Sequence, residues 1–111
     1  MNTLEIYKCL QKLTRGKRVQ FDVLPCDYLN DYEIHEYPVL LCVNNMPSTH
    51  GGLHWLGMYI SSSLSTEIEL YDSYSLGLEC YDKSFTDFAN RLNLNVLENT
   101  VPVQEVKYKY C

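Results

Sequence analysis

The chain has 111 residues, 46% of them apolar and 21% charged, and its compositional excess is 10 tyrosines. That mixture excludes a disordered tail, a collagen-like fibre and a coiled coil, and the length suits a single domain over residues 1–111 with a thin core. Nine Lys and Arg against 14 Asp and Glu give a net charge of -5, a poor balance for broad nucleic-acid binding, which needs clustered cations to neutralise phosphate.

Residues 3 to 14 carry Leu4, Tyr7, Leu10 and Leu13 at offsets of three, which predicts a short helix with that stripe facing the core. Asn2 or Thr3 can cap it and Gly16 can end it. Lys8, Lys12, Arg15, Lys17 and Arg18 crowd five of the nine cations into residues 8 to 18. They read as a solvated helix face and its exit loop, with a small anionic contact surface, able to touch DNA weakly, as the minority reading. Residues 17 to 37 hold Pro25 and many Asp, Asn and Tyr, and read as loop with one short strand over 19–23. Residues 38 to 44 form a continuous apolar run, a buried strand that starts at Pro38. A turn-rich loop over 45–52 follows, then strands over 53–60 and 67–72 joined by a polar, serine-rich connection. Residues 84 to 92 predict a helix, with Ser84 and Asp87 as a capping-box-like start and Phe85, Phe88, Ala89 and Leu92 as its apolar stripe. A last strand is expected over 101–106, with Pro102 pushing it to a sheet edge.

There is no apolar run of 18 residues to span a membrane, and the polar-interleaved N-terminus is no signal peptide. Five cysteines without regular spacing then imply free thiols in an intracellular, reducing compartment.

The two strands over 53–60 and 67–72 fit a hairpin centred on Ser63. Met58 then faces Ile68, Leu56 faces Leu70 and Ile60 faces Thr66 on the core side, while Trp55 meets Tyr71 and Tyr59 meets Glu67 on the other. The same register sets His54 opposite Asp72 at the open end. A carboxylate there can fix the imidazole tautomer and raise the basicity of its other nitrogen, as the third member of a catalytic triad does. A polar pair that merely closes the hairpin is the plain alternative. Cysteine attacks as the thiolate, which a neighbouring histidine stabilises. Cys42 lies in the most apolar strand and reads as core; Cys9, Cys26 and Cys80 carry no chemical cue; Cys111 is the last residue.

Val43-Asn44, then Gly51-Gly52-Leu53-His54-Trp55, then Tyr71-Asp72-Ser73-Tyr74-Ser75, Val103-Gln104 and Cys111 together resemble the adenovirus-type processing proteases, the adenain family, which is distantly similar to the SUMO-specific proteases. The likeness covers residues 38 to 111, with Ser75 where the family usually has glycine. It implies an α+β fold, a small mixed or antiparallel sheet flanked by helices, of papain-like cysteine-protease type. It implies a cysteine endopeptidase in which His54 is the general base, Asp72 orients it, Cys111 is the nucleophile, Gln104 holds the oxyanion and Trp55 packs beside the site. The substrate would be a protein or peptide. No cofactor is required by the residues themselves, although the family uses DNA and a peptide as cofactors, and a nucleus or virion would be the setting. In the family a glycine follows the cysteine and a long central helix begins there, its N-terminus favouring the thiolate. This sequence ends at Cys111 without that helix, and a terminal carboxylate beside the sulfur disfavours the thiolate. The expectation is a truncated member with weak activity or none.

Two further classes compete. A non-catalytic remnant could bind an extended peptide by strand addition, drawing on the tyrosines and the sheet edges. A metal site could draw on His35, His50, His54 and a cysteine, but Gly51-Gly52 and the strand pattern that follows spoil the helical spacing of the last two histidines.

Overall fold

The computed structural model describes residues 3–45, 54–72 and 81–98. Five strands form one mixed sheet: β1 (Gln20–Pro25), β2 (Val39–Asn44), β3 (Trp55–Ile60), β4 (Glu67–Tyr71) and β5 (Asn95–Glu98). Their spatial order follows the sequence, β1-β2-β3-β4-β5. The outer pairs, β1 with β2 and β4 with β5, are parallel; the inner pairs are antiparallel. Helix α1 (Thr3–Leu13) precedes the sheet, a 3-10 helix (Cys26–Asp31) follows β1, and α2 (Ser84–Arg91) lies between β4 and β5. The class is α+β, with a mixed sheet flanked by helices.

The strands exist because their apolar side chains alternate or run continuously where one sheet face must be dry. Val39, Leu41 and Val43 on β2, Leu56, Met58 and Ile60 on β3, and Ile68 and Leu70 on β4 are all buried. Leu29 of the 3-10 helix and Phe85, Phe88 and Ala89 of α2 close over them in one apolar cluster. Arg91 fastens these two helices: its guanidinium donates to the carbonyls of Leu29 (3.0 Å) and Tyr32 (2.8 Å) and lies 5.3 Å from the centre of the Phe88 ring.

Several expectations are corrected in detail. The helix over 3–14 is present, but Leu4 and Leu13 are exposed and Ile6 is the residue it buries. The offsets of three drift around a 3.6-residue turn, so the stripe does not stay on one face, and Tyr7 lies against Phe21 of β1 at 5.2 Å between centroids. Gly16 does lie in the left-handed region, φ 76°, just past the last turn. The first strand runs on to Pro25, and Cys26, read as a loop cysteine, is fully buried in the 3-10 helix. Cys42, read as core, is only half-buried, because it alternates with Leu41 and Val43 onto the opposite face.

The start of α2 does not use Ser84 and Asp87 as a capping box. Asp82 supplies the cap: its Oδ2 accepts the Ser84 N–H (3.0 Å) and the Ser84 hydroxyl (2.5 Å). Those two bonds hold the Asp82 carboxyl below its ordinary pKa. At the other end, Asn93 adopts φ 58°, with Asn93 N–H on the Asn90 carbonyl (3.1 Å) and Leu94 N–H on the Ala89 carbonyl (2.9 Å). This Schellman turn leads straight into β5, which the sequence reading omitted. The strand expected over 101–106 lies outside the described residues.

Candidate functional site

The β3–β4 ribbon has a different register from the one expected. Met58 pairs with Leu70, Tyr59 with Glu69 and Gly57 with Tyr71, so each β3 residue faces a partner two positions further along β4 than the hairpin centred on Ser63 required. A shift of two preserves which side each residue occupies, because side chains alternate with a period of two. Continued one step, this register sets Leu56 across from Asp72 and leaves His54 diagonal to it. Diagonal neighbours remain within reach of long and aromatic side chains. His54 Nε2 and Asp72 Oδ1 are hydrogen-bonded. Contact between the two residues is therefore observed, by a diagonal route instead of a direct one.

Both groups are nearly removed from solvent, His54 at 5% and Asp72 at 2% exposure. They sit at the start of β3 and just past the end of β4, on the face that carries Leu56 and Leu70 into the core. β2 ends at the same place: the Asn45 N–H donates to the His54 carbonyl (2.9 Å), continuing the β2–β3 ladder by one bond beyond the Asn44–Trp55 pair and fixing the backbone under the imidazole. Asn44 is itself buried, and Trp55, which follows His54, is half-buried.

A third residue joins them that the sequence reading missed. The Tyr81 hydroxyl donates to Asp72 Oδ2. Its ring lies 5.7 Å from that of Phe85 on α2, between centroids, and packs on the core cluster. The only signal for it in the sequence is its place immediately before Asp82, the capping residue that sets where α2 begins.

A carboxylate can only accept, so the ring nitrogen facing Asp72 carries the proton. The neutral imidazole is then the Nε2–H tautomer, and Nδ1 is its basic nitrogen. A buried carboxylate and an oriented imidazole of this kind can take a proton from an acid brought to Nδ1 and stabilise the cation that results.

The other candidates divide. Gln104 and Cys111 lie outside the described residues, as do Cys80 and His50. Cys9 is exposed on α1. Cys26 is a poor nucleophile: burial, followed by the charges of Asp82 and Asp27, pushes its thiol up to about 11. His35 lies 3.8 Å from Glu33, and its backbone N–H donates to Gln20 at the start of β1, the end of the sheet opposite to His54. Among the described residues no three or more of His, Cys, Asp and Glu are grouped to hold a metal ion. No helix among them is long and apolar enough to cross a membrane. Lys8, Lys12, Arg15, Lys17 and Arg18 are exposed along α1 and its exit, with Arg18 3.6 Å from Glu36. A cavity of about 670 Å³ opens along β1, lined in part by Gln20, Asp22, Tyr28, Tyr32 and His35, and includes neither His54 nor Asp72.

No protein-family model matches the chain, and no curated protein matches it. Among solved structures it is similar to the central domain of an uncharacterized protein, Lpg1148, from Legionella pneumophila, with 19% identity and a TM-score of 0.49. The alignment covers 84% of this chain and spans 58% of that one.

Proposed function

We propose that the chain is a cysteine-type endopeptidase domain of adenain, papain-like character, in which His54 is the general base, Asp72 orients it, Cys111 is the nucleophile and Gln104 is an oxyanion donor. The observation that carries this reading is the buried His54–Asp72 hydrogen bond made through Nε2. Isolated polar pairs that only close a hairpin are usually solvated. Burying an ionisable pair costs desolvation that structure alone does not repay, so such pairs concentrate at sites of chemistry.

The reaction follows from the tautomer. Nδ1 of His54 takes the Cys111 thiol proton, giving a thiolate and an imidazolium whose charge Asp72 balances. The sulfur attacks the scissile carbonyl carbon, and the oxygen that becomes negative accepts hydrogen bonds, one of them from the Gln104 amide. Collapse of the adduct breaks the C–N bond, and the imidazolium gives its proton to the leaving amine. Water, deprotonated by Nδ1, then hydrolyses the thioester and restores the thiol.

The test is the pH dependence of Cys111 alkylation by iodoacetamide, read by peptide mapping, with the exposed Cys9 as internal reference. A thiolate held by an imidazolium reacts well below the ordinary thiol range of about 8.5. At about pH 6, Cys111 is expected to react at least tenfold faster than Cys9, and His54→Ala to bring it down to the Cys9 rate. Equal rates for the two thiols, indifferent to His54→Ala, would refute the reading.

A further inference from the structure

We propose that Tyr81 is a positioning residue for the His54–Asp72 pair, its hydroxyl fixing the plane of the Asp72 carboxylate so that Oδ1 faces His54 Nε2. The inference rests on the reading of that pair as a catalytic base and adds to it the element that aims the base.

The geometry carries the argument. The terminal torsion of an aspartate is soft and broadly two-fold, so a single hydrogen bond does not define where its second oxygen points. Here one oxygen meets an imidazole and the other a phenol hydroxyl. Asp72 is 2% exposed, so water is a poor substitute for either donor. Two donors on two oxygens fix the carboxylate plane, and that plane fixes the ring opposite. Tyr81 is in turn held from two sides: its ring lies against Phe85, and the next residue, Asp82, is pinned to the first turn of α2 through Ser84. A mechanical line thus runs from α2 through Tyr81 and Asp72 to His54. A tyrosine that only filled space would need no hydroxyl, and one that only satisfied Asp72 would leave the imidazole indifferent to its loss.

Tyr81→Phe keeps the ring against Phe85 and deletes the donor alone. The experiment uses the full chain with 15N-labelled histidine; there are three histidines, and His54→Gln assigns the signal. The wild-type chain is expected to show His54 as the Nε2–H tautomer with a slowly exchanging ring proton. In Tyr81→Phe that proton signal is expected to shift and exchange faster, and both tautomers to appear. Cys111 alkylation at about pH 6 is expected to fall about fivefold, roughly the effect of one lost hydrogen bond. An unchanged His54 spectrum in folded Tyr81→Phe overturns the proposal, even where the melting temperature drops. If wild-type Cys111 reacts like Cys9, the peptidase reading fails by itself, and the imidazole spectra alone decide the role of Tyr81. If Tyr81→Phe does not fold, the wild-type chain decides: a Tyr81 hydroxyl proton protected from exchange and in Overhauser contact with the His54 ring proton supports the proposal, and a rapidly exchanging one overturns it.

Discussion

Among the described residues two tyrosine hydroxyls donate to aspartates, and the surroundings make them different devices. Tyr32 donates to Asp22 Oδ2 at 2.6 Å on the β1 side, and Tyr81 donates to Asp72 Oδ2 beyond β4. At the Tyr32 hydroxyl the further partner is a neutral amide: Gln20 donates to the Tyr32 oxygen and to the Glu33 carbonyl, both at 2.9 Å, and its Oε1 accepts from the His35 and Glu36 N–H groups. That network stitches the segment after the 3-10 helix onto β1, and it lines a cavity open to water. Around Tyr81 the aspartate's other oxygen is committed to an imidazole, and the aspartate is buried. The same hydroxyl–carboxylate bond is a clasp where its neighbours are amides, and under the proposed function it supports a proton-handling site where one neighbour is a base.

The largest difference between the two regions should come from deleting the aspartates. Asp72→Ala takes the shared acceptor from the buried His54 and the half-buried Tyr81, and removal of one member of a buried pair typically costs about 3–5 kcal/mol. Urea denaturation is expected to show a loss in that range, and Cys111 to lose its low-pH alkylation. A loss below about 1 kcal/mol would mean that the corner relaxes to admit water, and that its burial does not set it apart from the Asp22 region.

How far this site was legible in the sequence depends on which physical rule carried each residue. His54 and Asp72 were found from the wrong register because alternation has a period of two, and an error of two residues leaves both on the same face. The apolar core of β2, β3 and β4 was legible for the same reason. Tyr81 was not: it meets Asp72 across residues 73–80, and no local period links the two. The face of α1 was misread because, among its residues of described burial, Ile6 alone is buried, and a stripe of leucines outweighs it in any periodicity count. β5 was hidden by Asn93 and Asn95 at its entry; its alternation of half-buried Val96 with exposed Leu97 is weak, and what makes it a strand is pairing beside β4 after the Schellman turn.

Tyr32→Phe is the matched perturbation on the other side. It removes two hydrogen bonds in a half-exposed setting, one donated to the charged Asp22 and one accepted from Gln20, so a loss of about 2 kcal/mol is expected, with Cys111 alkylation unchanged. Burial, then the bond to Asp22, raises the Tyr32 pKa above the ordinary phenol value. A raised folded value means that the stability Tyr32 contributes is complete below about pH 10, where the unfolded phenol begins to ionise, and is lost as pH climbs toward the folded value. Wild-type stability should therefore fall more steeply above about pH 10 than that of Tyr32→Phe, measured by urea titration at each pH. Parallel slopes would show that Tyr32 is solvated and that its bond to Asp22 is no clasp.

The smallest expected effect lies at the joint between Tyr81 and α2. Asp82→Ala deletes the acceptor for the Ser84 N–H and hydroxyl, and loss of such a cap costs about 0.5–1 kcal/mol. The Asp82 carboxyl sits below its ordinary value, so its contribution is present above about pH 4 and is lost as pH falls through the lowered folded value. Thermal melts of wild type and Asp82→Ala should accordingly differ at pH 7 and converge toward acid. The informative readout is the His54 ring proton in the same variant. If the cap aims Tyr81, that signal shifts even though Asp82 touches neither His54 nor Asp72 by any hydrogen bond described above. If the melt changes and the ring proton does not, the Phe85 contact alone holds Tyr81, and the line from α2 to the imidazole passes through aromatic packing and not through the helix cap.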